Sequence, residues 1–172
     1  MSEKQNPYAA PTSNVASDSL GQDVSKIKAF KRFTTWGVIG LAIITLGIYG
    51  YYWMYSRTKI LNTLIPENKI AGWLVPAIIG IGIINLIFSF LPMAVSPEIV
   101  QAISLISIVF SLIGFVLVIT WAFKFRNRLN IISGSTKGSP FWLGPILTFF
   151  FQLYYFQYKI NQMHDASTQN QP

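Results

Sequence analysis

Four stretches of this chain carry no Asp, Glu, Lys or Arg: residues 33–56, 70–91, 99–123 and 141–158. An apolar run of about 18 residues is long enough to cross a bilayer as a helix, so each stretch is a spanning candidate. Only 11% of the 172 residues are charged and 52% are apolar, whereas roughly a quarter of a soluble domain is charged. The pattern predicts an all-α integral membrane protein of four hydrophobic helical segments. No connection is long enough to bury a core of its own, which excludes a separate soluble catalytic domain.

Three regions follow: a polar tail over 1–24, a membrane domain over 25–165 and a short polar tail over 166–172. The first tail is rich in Ser, Asn, Gln and Pro and is expected to be disordered. Within it, Pro7 and Pro11 flank Tyr8 in a solvated stretch. A cleaved signal peptide is not expected, because a polar tail stands where a basic n-region and an apolar h-region would be. There is no cysteine, which removes disulfides, thiolate metal sites and thiol nucleophiles.

The single histidine, His164, stands beside Asp165 near the C-terminus, and none of the six acidic residues lies inside a segment. No triad or metal set forms, so no catalytic residue, metal or cofactor is expected, and the chain reads as something other than an enzyme. Ion-coupled transport is disfavoured by the same absence of an intramembrane carboxylate. The stretch Ser133 to Pro140 mixes Gly, Ser, Thr and Lys, but Lys137 precedes Gly138 rather than Ser or Thr. It is a linker and not a phosphate loop.

Residues Thr45 to Trp53 end the first segment with Gly47, Tyr49, Gly50, Tyr52 and Trp53, followed by Tyr55, Arg57 and Asn62. Tyr and Trp favour the bilayer interface and glycine admits close backbone approach. The spacing recurs. Trp53 leads to Asn62, Trp121 to Asn130 and Phe156 to Asp165, each with an aromatic two residues on, basic residues between and Asn or Asp nine residues later. Placed on helices, Gly82, Asn85 and Ser89 share one stripe of the second segment, and Ser104, Ser107, Ser111 and Gly114 one stripe of the third. These stripes are expected to meet as a packing face; the alternative is a polar conduit.

Basic residues cluster at segment ends. Val24, Ile27 and Phe30 recur at helical spacing among Lys26, Lys28, Lys31 and Arg32, which predicts a short amphipathic helix lying on anionic headgroups. Lys124, Arg126 and Arg128 are further candidates for headgroup contact. If all four segments cross, the flanking cations divide five against seven, nearly without bias. If the first and fourth dip in and return as re-entrant hairpins, all 12 fall on one side, as the positive-inside rule favours. Full crossing is favoured by length, since about 24 helical residues reach about 36 Å. Both termini are expected in the cytoplasm, which both arrangements permit.

The run Leu46-Gly47-Ile48-Tyr49-Gly50-Tyr51-Tyr52-Trp53, with Leu61-Asn62 after it, resembles the signature of a bacterial family of small multi-pass membrane proteins classed as a domain of unknown function. Tyr154 to Asn161 looks like that family's closing element, with Phe156 where the first copy has Trp53. The resemblance implies a bacterial inner-membrane protein and no activity. The expected role is structural: a component that oligomerises or assists a membrane partner, binds anionic lipid and organises the bilayer, with no nucleic-acid partner. The alternative is a passive pore or transporter subunit lined by Asn85, Ser104, Ser107 and Ser111.

Overall fold

The computed structural model describes residues 26–169; the tail expected at 1–24 lies outside them. Among the described residues there are five α-helices and no strand: α1 Thr35–Ile44, α2 Ile48–Leu64, α3 Leu74–Phe90, α4 Pro97–Ile132 and α5 Pro145–Gln169. The expected tail from 166 therefore begins as the last turn of α5. Two helices are long and apolar enough to cross a membrane, one over Leu74–Met93 and the other α4.

The first hydrophobic segment is not one helix. It breaks at Thr45 to Gly47, where Leu46 and Gly47 take left-handed backbone (φ +50° and +90°). The break is a Schellman turn: Gly47 N–H donates to Ala42 O at 2.7 Å and Leu46 N–H to Ile43 O at 3.1 Å. The Thr45 hydroxyl joins the two helices, donating to Leu41 O and accepting from Tyr49 N–H. The chain then reverses, so that Arg57 on α2 reaches Lys31 O ahead of α1 at 2.8 Å.

The fourth segment does the same. Gln152 leaves helical geometry (φ 37°, ψ −117°) and divides α5 into a short first arm and a long second one. Reversal brings Lys159 Nζ to Pro140 O at 2.6 Å and the Tyr155 hydroxyl to Gly144 N–H at 3.1 Å. Between them, α3 and α4 form the long antiparallel pair, in which Phe88 meets Phe110 edge to face at 5.7 Å.

The fold is thus three helical hairpins rising from one base. Their first legs differ in length: α3 has 17 residues, α1 has 10, and the first arm of α5 is shorter again. At 1.5 Å per residue these reach about 26, 15 and 10 Å. The third segment outruns its expected end at Phe123 because Trp121, Phe125, Leu129 and Ile132 extend one buried stripe into the base.

The basic stretch ahead of α1 also differs from expectation. It forms one 3-10 turn, Lys26–Ala29, rather than an amphipathic helix lying on lipid. Ile27 and Phe30 are wholly buried in the chain's own core, so these two residues of the face expected to meet lipid are covered by protein; Val24, the third, lies outside the described residues. His164 on α5 bonds the Phe30 carbonyl.

Gly47 and Gly40 test the break. Neither would bring an added Cβ within 4 Å of another atom, but only Gly47 has positive φ. Gly47→Ala is expected to cost about 1 kcal/mol, and Gly40→Ala, inside α1, to stabilise by up to about 1 kcal/mol. Thermal unfolding in micelles followed by circular dichroism measures both, and an unchanged Gly47→Ala would remove the turn as drawn.

Candidate functional site

The spacing repeat becomes a place in the structure. Trp53, Trp121 and Phe156, the first residues of the three copies, converge with Phe125 in the base and are wholly buried. Trp53 meets Trp121 edge to face at 6.4 Å and stacks near Phe156 at 6.5 Å; Trp121 and Phe156 lie 5.8 Å apart. A buried indole N–H needs an acceptor, and each finds one on another hairpin. Trp53 Nε1 donates to Gln157 Oε1 at 2.9 Å and Trp121 Nε1 to Thr58 Oγ1 at 2.8 Å.

The asparagines that end the first two copies perform one task. Asn62 accepts from Ile70 N–H at 2.8 Å and donates to Ile70 O at 2.9 Å. Asn130 accepts from Leu143 N–H at 2.9 Å and donates to Leu143 O at 3.3 Å. Each amide thereby fixes the chain where it turns into the next hairpin. The third copy closes the circle with other residues, because Asn161 and Gln157 on α5 both donate to Phe33 O, ahead of α1. Asp165, in the equivalent place, pairs with Arg32 on the surface at 2.8 Å. Neither Gln157 nor Asn161 is among the site residues expected from the sequence; the available signal was a Gln within the aromatic close of an uncharged run that also holds Gln152.

Cations serve the same connections. Arg128, 8% exposed, donates to the Asn68 and Lys69 carbonyls, to Asn68 Oδ1 and to Lys124 O. Arg126 Nε donates to Leu143 O at 2.7 Å, and its guanidinium lies over Trp142. Burial lowers the Lys159 pKa from its usual position. Of the residues expected at headgroups, Arg126 and Arg128 are thus engaged by the chain's own backbone and Arg32 by Asp165. Lys26, Lys28, Lys31 and Lys124 are exposed.

Arg57 is 6% exposed. Its Nη2 donates to Lys31 O and, at 3.5 Å, to Gln157 Oε1, while its guanidinium lies 5.9 Å from the Trp53 ring. Desolvation lowers its pKa, although an arginine remains charged at neutral pH. Beside it Tyr49 and Tyr52, with ring centroids 5.9 Å apart, border a pocket of 350 Å³ between α1 and α2. Gly50 is buried where α2 passes α5, an added Cβ lying 3.6 Å from Leu153. Tyr55 is exposed.

The expected packing stripes meet in part. Ser111 reaches Asn85 Oδ1 at 3.4 Å and Gly114 receives Ile81. Gly82 instead faces Tyr51 of α2, so that stripe is shared between two hairpins. Ser89, Ser104 and Ser107 donate to carbonyls of their own helices.

A family model described as "Domain of unknown function (DUF4234)" matches residues 33–131. The chain belongs to DUF4234. No curated protein and no solved structure matches it. The DUF4234 match begins at Phe33, whose carbonyl the α5 amides hold, and runs through the first two hairpins to the residue after Asn130. Both asparagine clamps that share one form arise from helices inside the DUF4234 range, and the third hairpin follows it.

Asn62→Ala strips Ile70, itself 1% exposed, of two partners and should cost about 1–3 kcal/mol. Asn62→Asp keeps the acceptor for Ile70 N–H but loses the donor, so a smaller loss is expected. Unfolding in micelles that ranks Asp below wild type and above Ala supports the clamp, and equal stability of all three refutes it.

Proposed function

We propose that this chain is a non-catalytic component of the bacterial inner membrane that organises the bilayer by occupying its two leaflets unequally. The long α3–α4 hairpin crosses. The α1–α2 hairpin and the two arms of α5 enter from the basic side and return, which keeps both termini in the cytoplasm. The base sits at headgroup level with its cations toward anionic lipid, and the exposed apolar flanks of α3 and α4 meet lipid or a second copy of the chain.

The observation that carries this reading is Leu46. It occupies the left-handed position of the turn at the tip of the first hairpin and is 93% exposed. A non-glycine residue there costs roughly 1 kcal/mol, and a water-facing turn would be served better by Gly or Asn. A leucine at that apex fits a tip immersed in hydrocarbon. Ile43, Ile44 and Ile48 surround it, and Phe150 and Phe151 stand at the turn of the third hairpin, all exposed. Non-helical backbone at membrane depth must be shielded, and the Thr45 hydroxyl bonds supply part of that need.

The pore reading has weaker support, because Ser104 and Ser107 are satisfied within α4 rather than directed at a shared lumen.

The cysteine-free chain makes single-cysteine labelling clean. With a membrane-impermeant maleimide on intact cells, Ser96→Cys should label, and Ser2→Cys, Asn68→Cys, Ser135→Cys and Gln169→Cys only after lysis. Outside labelling at 68 and 135 but not at 2 and 169 means four crossings and ends the hairpin reading. Leu46→Asn provides a second test with opposite signs: folding in micelles should hold or improve, while remodelling of phosphatidylethanolamine–phosphatidylglycerol vesicles should fall severalfold.

A further inference from the structure

Two arginines of the base are buried, and they differ in one respect. Arg128 has acceptors around its guanidinium, from the 68–69 connection and its own helix. Arg57 does not. Its Nε is buried without a partner, and its two acceptors both engage Nη2, one of them at the 3.5 Å limit. Among the described residues no carboxylate pairs with it, and Asp165 is taken by Arg32. A buried cation without a counter-ion is costly, and the backbone here does not remove that cost as it does for Arg128.

Arg57 lines the 350 Å³ pocket between α1 and α2 together with Lys31, a second cation, and Ser56, whose hydroxyl donates to Trp53 O. Leu41, Tyr49 and Tyr52 line the remainder. Guanidinium presents a planar fork of donors that fits a phosphate on two oxygens. A site that combines two cations with an aliphatic and aromatic lining suits an amphiphile whose anion is joined directly to hydrocarbon.

We infer that this pocket holds the phosphate of an anionic membrane phospholipid, with Arg57 as its principal ligand and Lys31 as a second. The glycerol and first acyl carbons lie along Leu41 and the tyrosine rings. This rests on the proposed placement of the base at headgroup level, and it differs from general attraction to basic flanks in requiring one lipid at one position. A buried arginine without a counter-ion, beside a second cation, selects an anionic lipid over a zwitterionic one.

The experiment uses the full chain, purified and delipidated in mild detergent, titrated with phosphatidylglycerol, phosphatidylethanolamine, inorganic phosphate or glycerol phosphate. Readouts are the unfolding temperature and the lipid retained in native mass spectra. Phosphatidylglycerol should raise the unfolding temperature saturably with one lipid retained per chain, and phosphatidylethanolamine much less. Arg57→Gln should weaken binding at least tenfold, about 1.4 kcal/mol, and Arg57→Lys should retain part of it. Ser56→Leu fills the pocket while leaving Arg57 in place, and should lose the lipid as well; it decides the matter if Arg57→Gln does not fold.

Wild-type affinity in a folded Arg57→Gln or in Ser56→Leu overturns the site. Inorganic phosphate or glycerol phosphate raising the unfolding temperature at the lipid's own concentration overturns the lipid assignment, leaving a site for a free phosphate. The cysteine-labelling pattern is independent of these outcomes. Arg57-dependent lipid binding with outside labelling at 68 and 135 keeps the pocket and rejects the hairpin insertion, and the reverse result does the opposite.

Discussion

The meeting of Trp53, Trp121 and Phe156 is the contact on which the other features depend. A helical hairpin made largely of apolar residues has less to hold its two open ends together in lipid, where pairing apolar flanks gains packing but no hydrophobic driving force. Here the ends are held by aromatic packing. Each ring buries on the order of 150–250 Å², and the indole N–H groups must then find acceptors. They find them across hairpins, from the first to the third through Gln157 and from the second to the first through Thr58. Gln157 is wholly buried yet satisfied, since its amide nitrogen bonds Phe33 O and Asn161.

Around this core, the connections pose a second problem, which amides and cations solve together. A loop that turns at the base exposes carbonyls that no helix satisfies. Asparagine matches one N–H and one C=O of the same residue; arginine and lysine supply several donors and no acceptor. The distribution follows that chemistry. Ile70 and Leu143 each receive an asparagine clamp, while Lys31, Asn68, Lys69 and Pro140 each present a carbonyl to a basic side chain. A positive end on this chain therefore reflects internal bonding, and the proposed orientation asks for the same residues at the same level.

The long hairpin was legible in the sequence because α3 and α4 are apolar along nearly their whole exposed length, and composition alone reports that. The threefold spacing of Trp53, Trp121 and Phe156 was legible too, but its meaning was not. A single chain read as a line shows aromatics at three interfaces and does not show that they touch. The turn at Gly47 left a trace in its glycines. Gln152 left none, since φ of +37° at a glutamine is set by the surrounding packing rather than by local preference. The stretch from Lys26 to Phe30 misled for a related reason: its basic amphipathic pattern fits a lipid-facing helix, and only tertiary contact reveals that α5 covers Ile27 and Phe30.

Because each hairpin is held by its base and by the connection leading into the next, its depth is free to vary. Lengthening α3 and α4 away from Trp121 alters nothing at Asn62 or Asn130, whereas α1 and the first arm of α5 are stopped by the breaks at Gly47 and Gln152. On the proposed arrangement the leaflet next to the base contains legs of all three hairpins, and the opposite leaflet contains only α3 and α4. That difference in cross-section is a wedge. Its size is set by where two short turns fall in the chain, so a change of a few residues in α1 or in the arm after Pro145 would alter the wedge without disturbing the base that anchors it.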